Sequence, residues 1–282
     1  MTHDSSESGQ QHSTKIDSSR PHSARIWNYW LGGKDNYAVD REVGDEFIAI
    51  FPGQVDIARH SRAFLGRAVR YLAADAEIRQ FLDLGTGLPT VDNTHEVAQR
   101  VAPEARIVYV DNDPLVLTHA RALLTSTPQG ACDYVDADLH ETGTILTQAA
   151  QTLDFAQPVA VMMLGILGHI PDADGPEEIV ARLMNAVPSG SYLVIGDGTN
   201  VLHGQRTGAS AEDSARAVAG RHYVEAGGLP YHLRSPERIE GFFAGLELVP
   251  PGVVSVSRWR LEANPFGLPA EVDGFCGVAR KP

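Results

Sequence analysis

The sequence predicts an α/β fold in which helices cover a mostly parallel sheet, and three observations lead to it. Apolar runs of strand length alternate with segments of helical periodicity from Pro21 onward, the order typical of parallel sheets. One of these runs, residues 81–84, leads directly into a Gly-x-Gly turn. The last two strand candidates, residues 253–261 and 274–279, are joined by a short linker, which predicts an antiparallel hairpin at the sheet edge.

The segment before the sheet predicts a tail and two helices, with a short entry helix before them as one interpretation of the segment around Trp27. Residues 1–20 are almost entirely Ser, Gln, His and charged residues, which predicts a disordered tail. We expect one domain over residues 21–282, whose segment 21–75 forms a helical lid. The helices are a short one near residue 26, then residues 38–50 and 56–73, each with an apolar face. Those faces carry Ile26, Trp27, Trp30 and Leu31; Val39, Val43, Phe47 and Ile50; and Ile57, Phe64, Leu65, Ala68 and Leu72.

Five strand candidates follow in order, each with a turn and a helix after it. In the second crossover, Asp113 can cap the helix and Pro114 takes its first position, where a missing N–H costs nothing. After the fifth strand, two further helices are predicted over residues 211–225 and 235–246. The five strand candidates are residues 80–84, 106–110, 133–135, 159–164 and 192–195.

Composition narrows the class of partner. Asp and Glu number 36 against 23 Lys and Arg, a net charge of −13, which argues against a nucleic-acid-binding surface. The two cysteines, Cys132 and Cys276, lie too far apart in sequence to suggest a disulfide framework or a zinc site. The longest apolar stretch, residues 158–170, is shorter than the roughly 20 residues that span a bilayer. We therefore expect a cytoplasmic protein with no nucleic-acid or membrane partner.

The sharpest local motif is the turn in Phe-Leu-Asp-Leu-Gly-Thr-Gly-Leu-Pro, residues 81–89. Gly85 and Gly87 allow a ligand to approach the backbone closely. A dinucleotide fingerprint needs a third glycine, but Thr90 stands there, and Asp83 occupies a position that is usually apolar in nicotinamide sites. The motif therefore favours a ligand with an amino group and a ribose but no pyrophosphate.

Two further strand candidates also end in acidic residues. Asp111 can accept both hydroxyls of a ribose, while Asp138 can accept the amine of adenine and Leu139 can pack on its ring. Any one such Asp is equally consistent with a helix cap or a loop residue. Their order along three successive strands, with Asp83 first, favours an adenosine-bearing ligand at the carboxyl edge of the sheet.

These motifs resemble those of the class I S-adenosylmethionine-dependent methyltransferases. The resemblance is closest to a bacterial family of such proteins and runs from about Ser19 to Arg280, through RPHSARIWNYWLGGKDNYAVDRE, FLDLGTGLPT, NTHEVAQRVAP, YVDNDP and DGT. It implies a Rossmann-like sheet of seven strands with the last one antiparallel. It implies no particular methyl acceptor. The cofactor-binding residues it implies, with their immediate neighbours, are Asp83, Gly85, Thr86, Gly87, Asp111, Asn112, Asp138 and Leu139.

The LGGKDNY signature, residues 31–37, predicts part of the lid. A polar Gly-Gly turn contributes little to a core, so we expect it over the carboxyl edge of the sheet. Asn36 and Tyr37 are then candidates to contact the methionine end of the cofactor, and Arg25 to pair with its carboxylate. For Trp27 and Trp30, a structural role in anchoring a helix is equally consistent with the sequence.

Candidate residues for the methyl acceptor are fewer. His169 follows the fourth strand, where it is either a hydrogen-bonded structural residue or a general base for an oxygen or nitrogen acceptor. Asp197, Thr199 and His203, after the fifth strand, are further candidates for acceptor contacts. Neither His95-Glu96 nor His140-Glu141 has the second His of an HExxH motif, so no metal site is predicted.

The sequence thus predicts an enzyme that binds S-adenosylmethionine and transfers its methyl group to a small molecule. Two alternatives stay open. One is a non-catalytic sensor or assembly protein that keeps the cofactor pocket, and the other is an NAD-type oxidoreductase, which the missing third glycine disfavours. Formation of a homodimer is also left open.

Overall fold

The fold was analysed in a computed structural model that describes residues 17–123, 125–202, 210, 213–262 and 267–282. Eight strands form its sheet, and the first five match the predicted positions within two or three residues. The strands are β1 (Gln80–Leu84), β2 (Arg106–Asp111), β3 (Ala131–Asp136), β4 (Ala160–Leu164), β5 (Tyr192–Gly198), β6 (Glu247–Leu248), β7 (Val254–Ser255) and β8 (Gly274–Arg280).

Helices precede the sheet and fill its crossovers. They are α1 (Ser23–Trp30), α2 (Ala38–Ile50), α3 (Gln54–Ala74), α4 (Thr94–Val101), α5 (Pro114–Leu123), α6 (Thr142–Ala149), α7 (Pro176–Asn185), α8 (Ala215–Glu225) and α9 (Pro236–Gly241), with 3₁₀ turns at Leu167–His169 and Asp172–Asp174. As predicted, Asp113 caps α5, since its Oδ1 accepts a hydrogen bond from the Leu115 N–H at 2.8 Å. Of the predicted helix 211–225, residues 211 and 212 lie outside the described residues.

The strand order is β3-β2-β1-β4-β5-β8-β6, with β7 also paired to β8. Strands β1 to β5 run parallel, and β8 runs antiparallel to β5 along its whole length. The prediction of seven strands is one short, because β6 and β7 pair with different parts of β8, at Ala279–Arg280 and at Phe275–Cys276. The mostly parallel Rossmann-like sheet is confirmed.

The predicted hairpin forms, but its second strand is not at the sheet edge. β8 lies between β5 and the two short strands, because Cys276, Val278 and Ala279 are all buried and need cover on both faces. The predicted strand 253–261 is reduced to Val254–Ser255. The chain turns there and buries Trp259 completely, with its ring 5.4 Å from that of Phe64 on α3.

The helix predicted over residues 235–246 is also shorter than expected. α9 ends at Gly241, and the chain continues in turns that bury Phe242 and Phe243 in the core. The apolar pattern continues past the end of α9, because Phe242 and Phe243 are buried in the core although they lie in turns.

Two apolar layers enclose the sheet and hold its strand ends in place. Alternate residues of β1 face opposite layers: Leu82 and Leu84 pack with α6, α7 and α9, while Phe81 packs with α3 and α4. α3 supplies six buried residues to its layer, which makes it part of the core and not of a mobile cover. Within the described parts of the chain, no helix is long and apolar enough to cross a membrane.

Candidate functional site

The glycine turn after β1 lies at the carboxyl edge of the sheet with its backbone open to a cavity. Gly85 and Gly87 have φ of +69° and +65°, which side chains rarely tolerate. A Cβ at Gly85 would lie 2.6 Å from the side chain of Ile166, whereas a Cβ at Gly87 would meet nothing closer than Ala24 at 3.9 Å. Gly85 is thus required by packing, and Gly87 leaves room for a ligand.

The cavity has a volume of about 1090 Å³. It runs along the carboxyl ends of β1 to β5 and is walled by α1, by α8 and by the segment 229–234. Pockets for single small molecules typically measure about 300–1,000 Å³. This cavity is therefore large enough for a cofactor together with a second small molecule.

Asp111 ties the tips of β1 and β2 together. Its Oδ2 accepts a hydrogen bond from the Gly87 N–H at 2.8 Å, and its Oδ1 accepts from the N–H groups of Asn112 and Asp113 at 2.9 and 3.0 Å. Burial raises the pKa of Asp111 despite these bonds. The carboxylate lines the cavity and fixes the turn at the same time.

Asp83 lies at the buried end of β1 and also lines the cavity. One of its oxygens accepts a hydrogen bond from Thr94 Oγ1 at 2.6 Å; the other accepts none from the part of the chain that the structure describes. Burial raises the pKa of Asp83 to about 6, a shift that Thr94 and the nearby Arg62 only partly oppose. A cationic group of a ligand beside it would favour the ionised carboxylate.

The tip of β3 carries the third predicted carboxylate. Asn112 Nδ2 donates to Asp138 Oδ2 at 3.1 Å, and Asp138 Oδ1 contacts His140 Nδ1 at 2.6 Å. Partial burial works against ionisation, but the hydrogen bonds from His140 outweigh it and lower the pKa of Asp138. Beside them the buried Leu139 presents an apolar surface to the cavity. The strand tips thus bring together the predicted set from Asp83 to Leu139, including Thr86.

Arg25 is not among the described residues that line the cavity. Its guanidinium is 3% exposed and pairs with Asp40, with 3.0 Å from Nε to Oδ2, and also donates to the carbonyls of Asp17 and Arg20. Asp40 in turn accepts hydrogen bonds from the N–H groups of His22 and Tyr37. These contacts hold the start of α1 to the start of α2. The pairing of Arg25 with a cofactor carboxylate stays a prediction.

Asn36 and Tyr37 are not themselves among the described residues that line the cavity, but both contact residues that do. The Asn36 amide donates to Asn28 Oδ1 and to the Gly33 carbonyl, both at 3.0 Å. Tyr37 packs in a small apolar cluster behind the glycine turn, with the Arg25 guanidinium 5.2 Å from its ring centre. In this segment α1 faces the cavity, through residues that include Ala24, Trp27 and Asn28, and the polar turn does not.

His169 lies in the 3₁₀ turn after β4 and lines the cavity. Its Nδ1 is 3.1 Å from the carbonyl oxygen of Pro230. Because a carbonyl only accepts hydrogen bonds, Nδ1 carries the proton, and the neutral ring has its lone pair at Nε2. Burial lowers the pKa of His169 from the ordinary value for histidine. A neutral imidazole with an unprotonated Nε2 can act as a base.

The Pro230 carbonyl belongs to a segment that we call the strap, residues 229–234, all of which line the cavity. Its Tyr231 hydroxyl donates to Asp197, and its ring lies edge-on to His169 at 5.0 Å between centres. Its Arg234 is buried and donates to the carbonyls of Leu167 and Ile170 at 2.7 and 2.6 Å. The strap is thereby bound to the turn that carries His169.

The candidates after β5 separate into different environments. Asp197 lines the cavity, but its carboxylate is buried beside Tyr231 and lies 3.5 Å from Arg234, and burial raises its pKa. Thr199 is fully buried, and its hydroxyl bonds to Asp273 at 3.2 Å, so it is not an acceptor contact. His203 lies outside the described residues.

Sequence reasoning missed Arg62, Tyr231 and Arg234. Each comes from a segment without a recognisable motif and reaches the site only through long-range packing. Arg62, on α3, donates to the Val91 carbonyl and to Asn93 Oδ1, and so holds the loop between β1 and α4. The described residues contain no group of three His, Cys, Asp or Glu placed to hold a metal ion.

Comparison with known proteins identifies the chain's relatives. The family model described as S-adenosyl methyltransferase matches residues 9–282. No curated protein matches the chain. Among solved structures, a DUF574 family protein from Streptomyces avermitilis MA-4680 is similar at 42% identity and a TM-score of 0.87, over 95% of this chain and 100% of the other.

Two further structures are similar to different degrees. A protein from Thermobifida fusca YX, provisionally described as a methyltransferase, shares 39% identity at a TM-score of 0.82, over 97% of this chain and 99% of the other. The plantazolicin methyltransferase BpumL, solved with S-adenosylhomocysteine and a triazolic desmethylPZN analog, shares 10% identity at a TM-score of 0.51, over 92% and 96% of the two chains. That last likeness concerns the fold alone.

Proposed function

Because the chain belongs to the S-adenosyl methyltransferase family and is an S-adenosylmethionine-dependent methyltransferase, we propose that its cofactor binds at the tips of β1 to β3 and that its acceptor is a small molecule. Family membership decides against the NAD-type oxidoreductase and the non-catalytic sensor. The cofactor residues, the acceptor and the role of the N-terminal segment are the parts we propose.

One observation carries the placement of the cofactor: the Gly87 N–H bonds to Asp111, so the open glycine turn and the ribose-binding candidate form one rigid unit. Asn112 and Asp138 extend this unit to β3 at 3.1 Å. Acidic and amide oxygens suit hydroxyl and amine donors, and Leu139 suits an adenine ring. The residues present therefore fit S-adenosylmethionine, with Asp111 toward the ribose and Asp138 toward the adenine.

Asp83 fits the other end of the cofactor. Asp83 lines the cavity, and an α-amino group or a sulfonium bound beside it would favour the ionised carboxylate. When bound, S-adenosylmethionine would supply an electrophilic methyl group, with S-adenosylhomocysteine as the leaving group.

His169 is the proposed base. Its Nδ1–H is held by the Pro230 carbonyl, so Nε2 is the atom that receives a proton from an acceptor O–H or N–H. The acceptor oxygen or nitrogen then bonds to the methyl carbon as the carbon–sulfur bond breaks. Beyond this proton, catalysis depends on holding the two reactants in line within the cavity.

The N-terminal signature has an indirect part in this proposal. Asn28 accepts hydrogen bonds from the N–H of Asp35 and from Asn36, and a Cβ at Gly33 would lie 2.3 Å from the Asn28 side chain. The signature thus fixes α1, which covers the cavity. We propose residues 21–282 as one domain whose lid is α1 and the turn after it, while α3 belongs to the core.

The cofactor site is tested by calorimetric titration of S-adenosylhomocysteine into the wild type and two variants. Asp138→Ala should weaken binding roughly tenfold, about 1.4 kcal/mol, because it removes an acceptor at the strand tip. Asp136→Ala is the matched control: it changes an exposed carboxylate at the end of β3, two residues before Asp138 and outside the cavity lining, and should bind like wild type.

Equal affinities for the Asp138→Ala and Asp136→Ala proteins would contradict this placement of the adenosine. Thermal-shift measurements with S-adenosylmethionine, S-adenosylhomocysteine and NAD side by side extend the test. The two sulfur ligands should raise the midpoint, because each binds the native state, whereas NAD should not.

A further inference from the structure

We propose that the methyl acceptor has a flat aromatic or otherwise apolar body, seated between α1 and α8, and that Gly220 makes room for it. This inference rests on the proposed function and names the substrate class of the same cavity. Its polar end, the group that is methylated, would lie toward His169. Three features of the wall away from the cofactor support it.

The first feature is an aromatic wall on α1. Trp27 and Trp30 are half-buried and line the cavity, with ring centres 6.0 Å apart in an edge-to-face arrangement. The Trp30 indole N–H donates to the Gly44 carbonyl at 3.2 Å, and the Phe47 ring lies 5.1 Å away. These contacts fix the rings, so the wall is preorganised for a flat apolar partner.

The second feature is a missing side chain on α8, which also walls the cavity. Gly220 lies in the middle of α8 and lines the cavity, and a Cβ built there would meet no atom within 4 Å. A glycine inside a helix costs about 1 kcal/mol relative to alanine. Neither packing nor backbone conformation requires this glycine, since its φ is not positive. The space it leaves belongs to the cavity.

The third feature is an exposed apolar rim. Val224 on α8 and Leu229 on the strap are 43% and 56% exposed, and both line the cavity. The exposed Arg221 and Glu225 lie on α8 on either side of Val224 in sequence, and both also line the cavity. Apolar side chains left open at the rim of a pocket are typical of a surface that a ligand covers.

The buried cations of the cavity are already engaged, which argues against an acidic acceptor body. Arg216 donates to the Thr199 carbonyl at 2.6 Å, and Arg234 donates to backbone carbonyls and to Asp172. A polyol placed against the indoles would leave hydroxyl groups without partners, which is unfavourable. An aromatic alcohol presents one hydroxyl to His169 and its remaining surface to Trp27 and Trp30.

The test uses 2-naphthol as probe, titrated calorimetrically into the full chain saturated with S-adenosylhomocysteine. The wild type should bind 2-naphthol at least tenfold more tightly than methyl glucoside, a polyol of comparable size. Gly220→Phe should weaken 2-naphthol binding at least tenfold, because its ring would occupy the proposed seat. Gly143→Phe, at an open and exposed helical glycine outside the cavity lining, is the matched control and should not change it.

Titration of S-adenosylhomocysteine alone separates the two proposals. The wild type and both variants should bind it equally, which also shows that the variants are folded. The acceptor class is wrong, and the cofactor site stands, if S-adenosylhomocysteine binds but Gly220→Phe leaves the 2-naphthol affinity unchanged. The same conclusion follows if methyl glucoside binds the wild type as tightly as 2-naphthol does. If the wild type fails to bind S-adenosylhomocysteine, the proposed function fails and the acceptor class with it.

Discussion

Asp83 is a buried carboxyl group whose charge is unfavourable in the ligand-free fold. Burial raises its pKa to about 6 from an ordinary value of 3.8. Between these values the folded chain holds a proton that the unfolded chain releases. The contribution of Asp83 to stability is thus fully present below pH 3.8 and is lost as the pH rises through 6.

Asp83→Asn should remove this pH dependence. Relative to the variant, the wild type should lose roughly 2 kcal/mol in the free energy of unfolding between pH 4 and pH 7. Urea unfolding of both proteins across this range measures the difference. Asp136→Asn, at an exposed site on β3, should keep the wild-type profile. Parallel profiles for the wild type and Asp83→Asn would show that Asp83 ionises normally.

Single residues were predictable from sequence where a motif fixes the backbone around them. The carboxylates at the tips of β1 to β3 lie together because parallel strands end at one edge, a property readable from strand order. Arg25 was not predictable in this way. Its partner Asp40 lies on another helix, and nothing in the sequence distinguishes a buried ion pair from a ligand-binding arginine.

At the scale of elements, the strap holds the turn that carries His169. The His232 N–H donates to the Gly168 carbonyl at 2.6 Å, next to the bond between His169 and Pro230. Gly168 itself must lack a side chain, because a Cβ there would lie 2.2 Å from the Tyr231 ring. The orientation of His169 therefore depends on close packing between the strap and the turn.

Gly168→Ala should displace the Tyr231 ring and, with it, the Pro230 carbonyl. His169 would then lose the acceptor that holds its proton on Nδ1, and its ring would become more accessible to water. In ¹⁵N NMR spectra we expect a mixture of tautomers in place of the single Nδ1–H form. We also expect the pKa of His169 to rise toward its ordinary value of about 6.5.

The resonances of His169 are assigned by comparison with a His169→Gln protein. Gly241→Ala, at a helical glycine whose Cβ would meet no atom within 4 Å, is the control and should leave them unchanged. If Gly168→Ala also leaves the tautomer and the pKa of His169 as in the wild type, the strap has no positioning role.

Elements in the first two thirds of the chain were predictable, because apolar runs there are bounded by clear turn signals. The expected and observed bounds of β1 and α2 agree, and those of α3 differ by two residues or fewer. The last part was less predictable. Trp259 and Phe242 carry strand-like or helix-like patterns, but they reach the core from turns, because burial and not local periodicity determines the path there.

At the scale of the whole molecule, two segments distant in sequence meet over one sheet edge. α1 comes from the N-terminal part and the strap from a region some 200 residues later, and both line the cavity beside the tips of β1 to β5. The fold class and the cofactor edge follow from the order of elements. The second half of the cavity does not, because it depends on how these remote segments pack.

The net charge of −13 has a local counterpart at the cavity, where acidic and basic side chains have different roles. Asp83, Asp111 and Asp138 lie at the cavity, where they suit a cationic cofactor, while the buried arginines there are engaged by carbonyls and carboxylates. The cavity therefore combines an acidic cofactor end with an apolar acceptor end. The binding of the cofactor at its acidic end, at the tips of β1 to β3, is the central claim at the scale of the molecule.

Hydrogen–deuterium exchange with and without saturating S-adenosylhomocysteine tests this claim most directly. Exchange should slow in peptides that cover residues 85–88, 111–113 and 137–140. It should not change in residues 50–53 or 270–273, which line a separate, smaller cavity. Protection at that smaller cavity, with none at the tips of β1 to β3, would contradict the account.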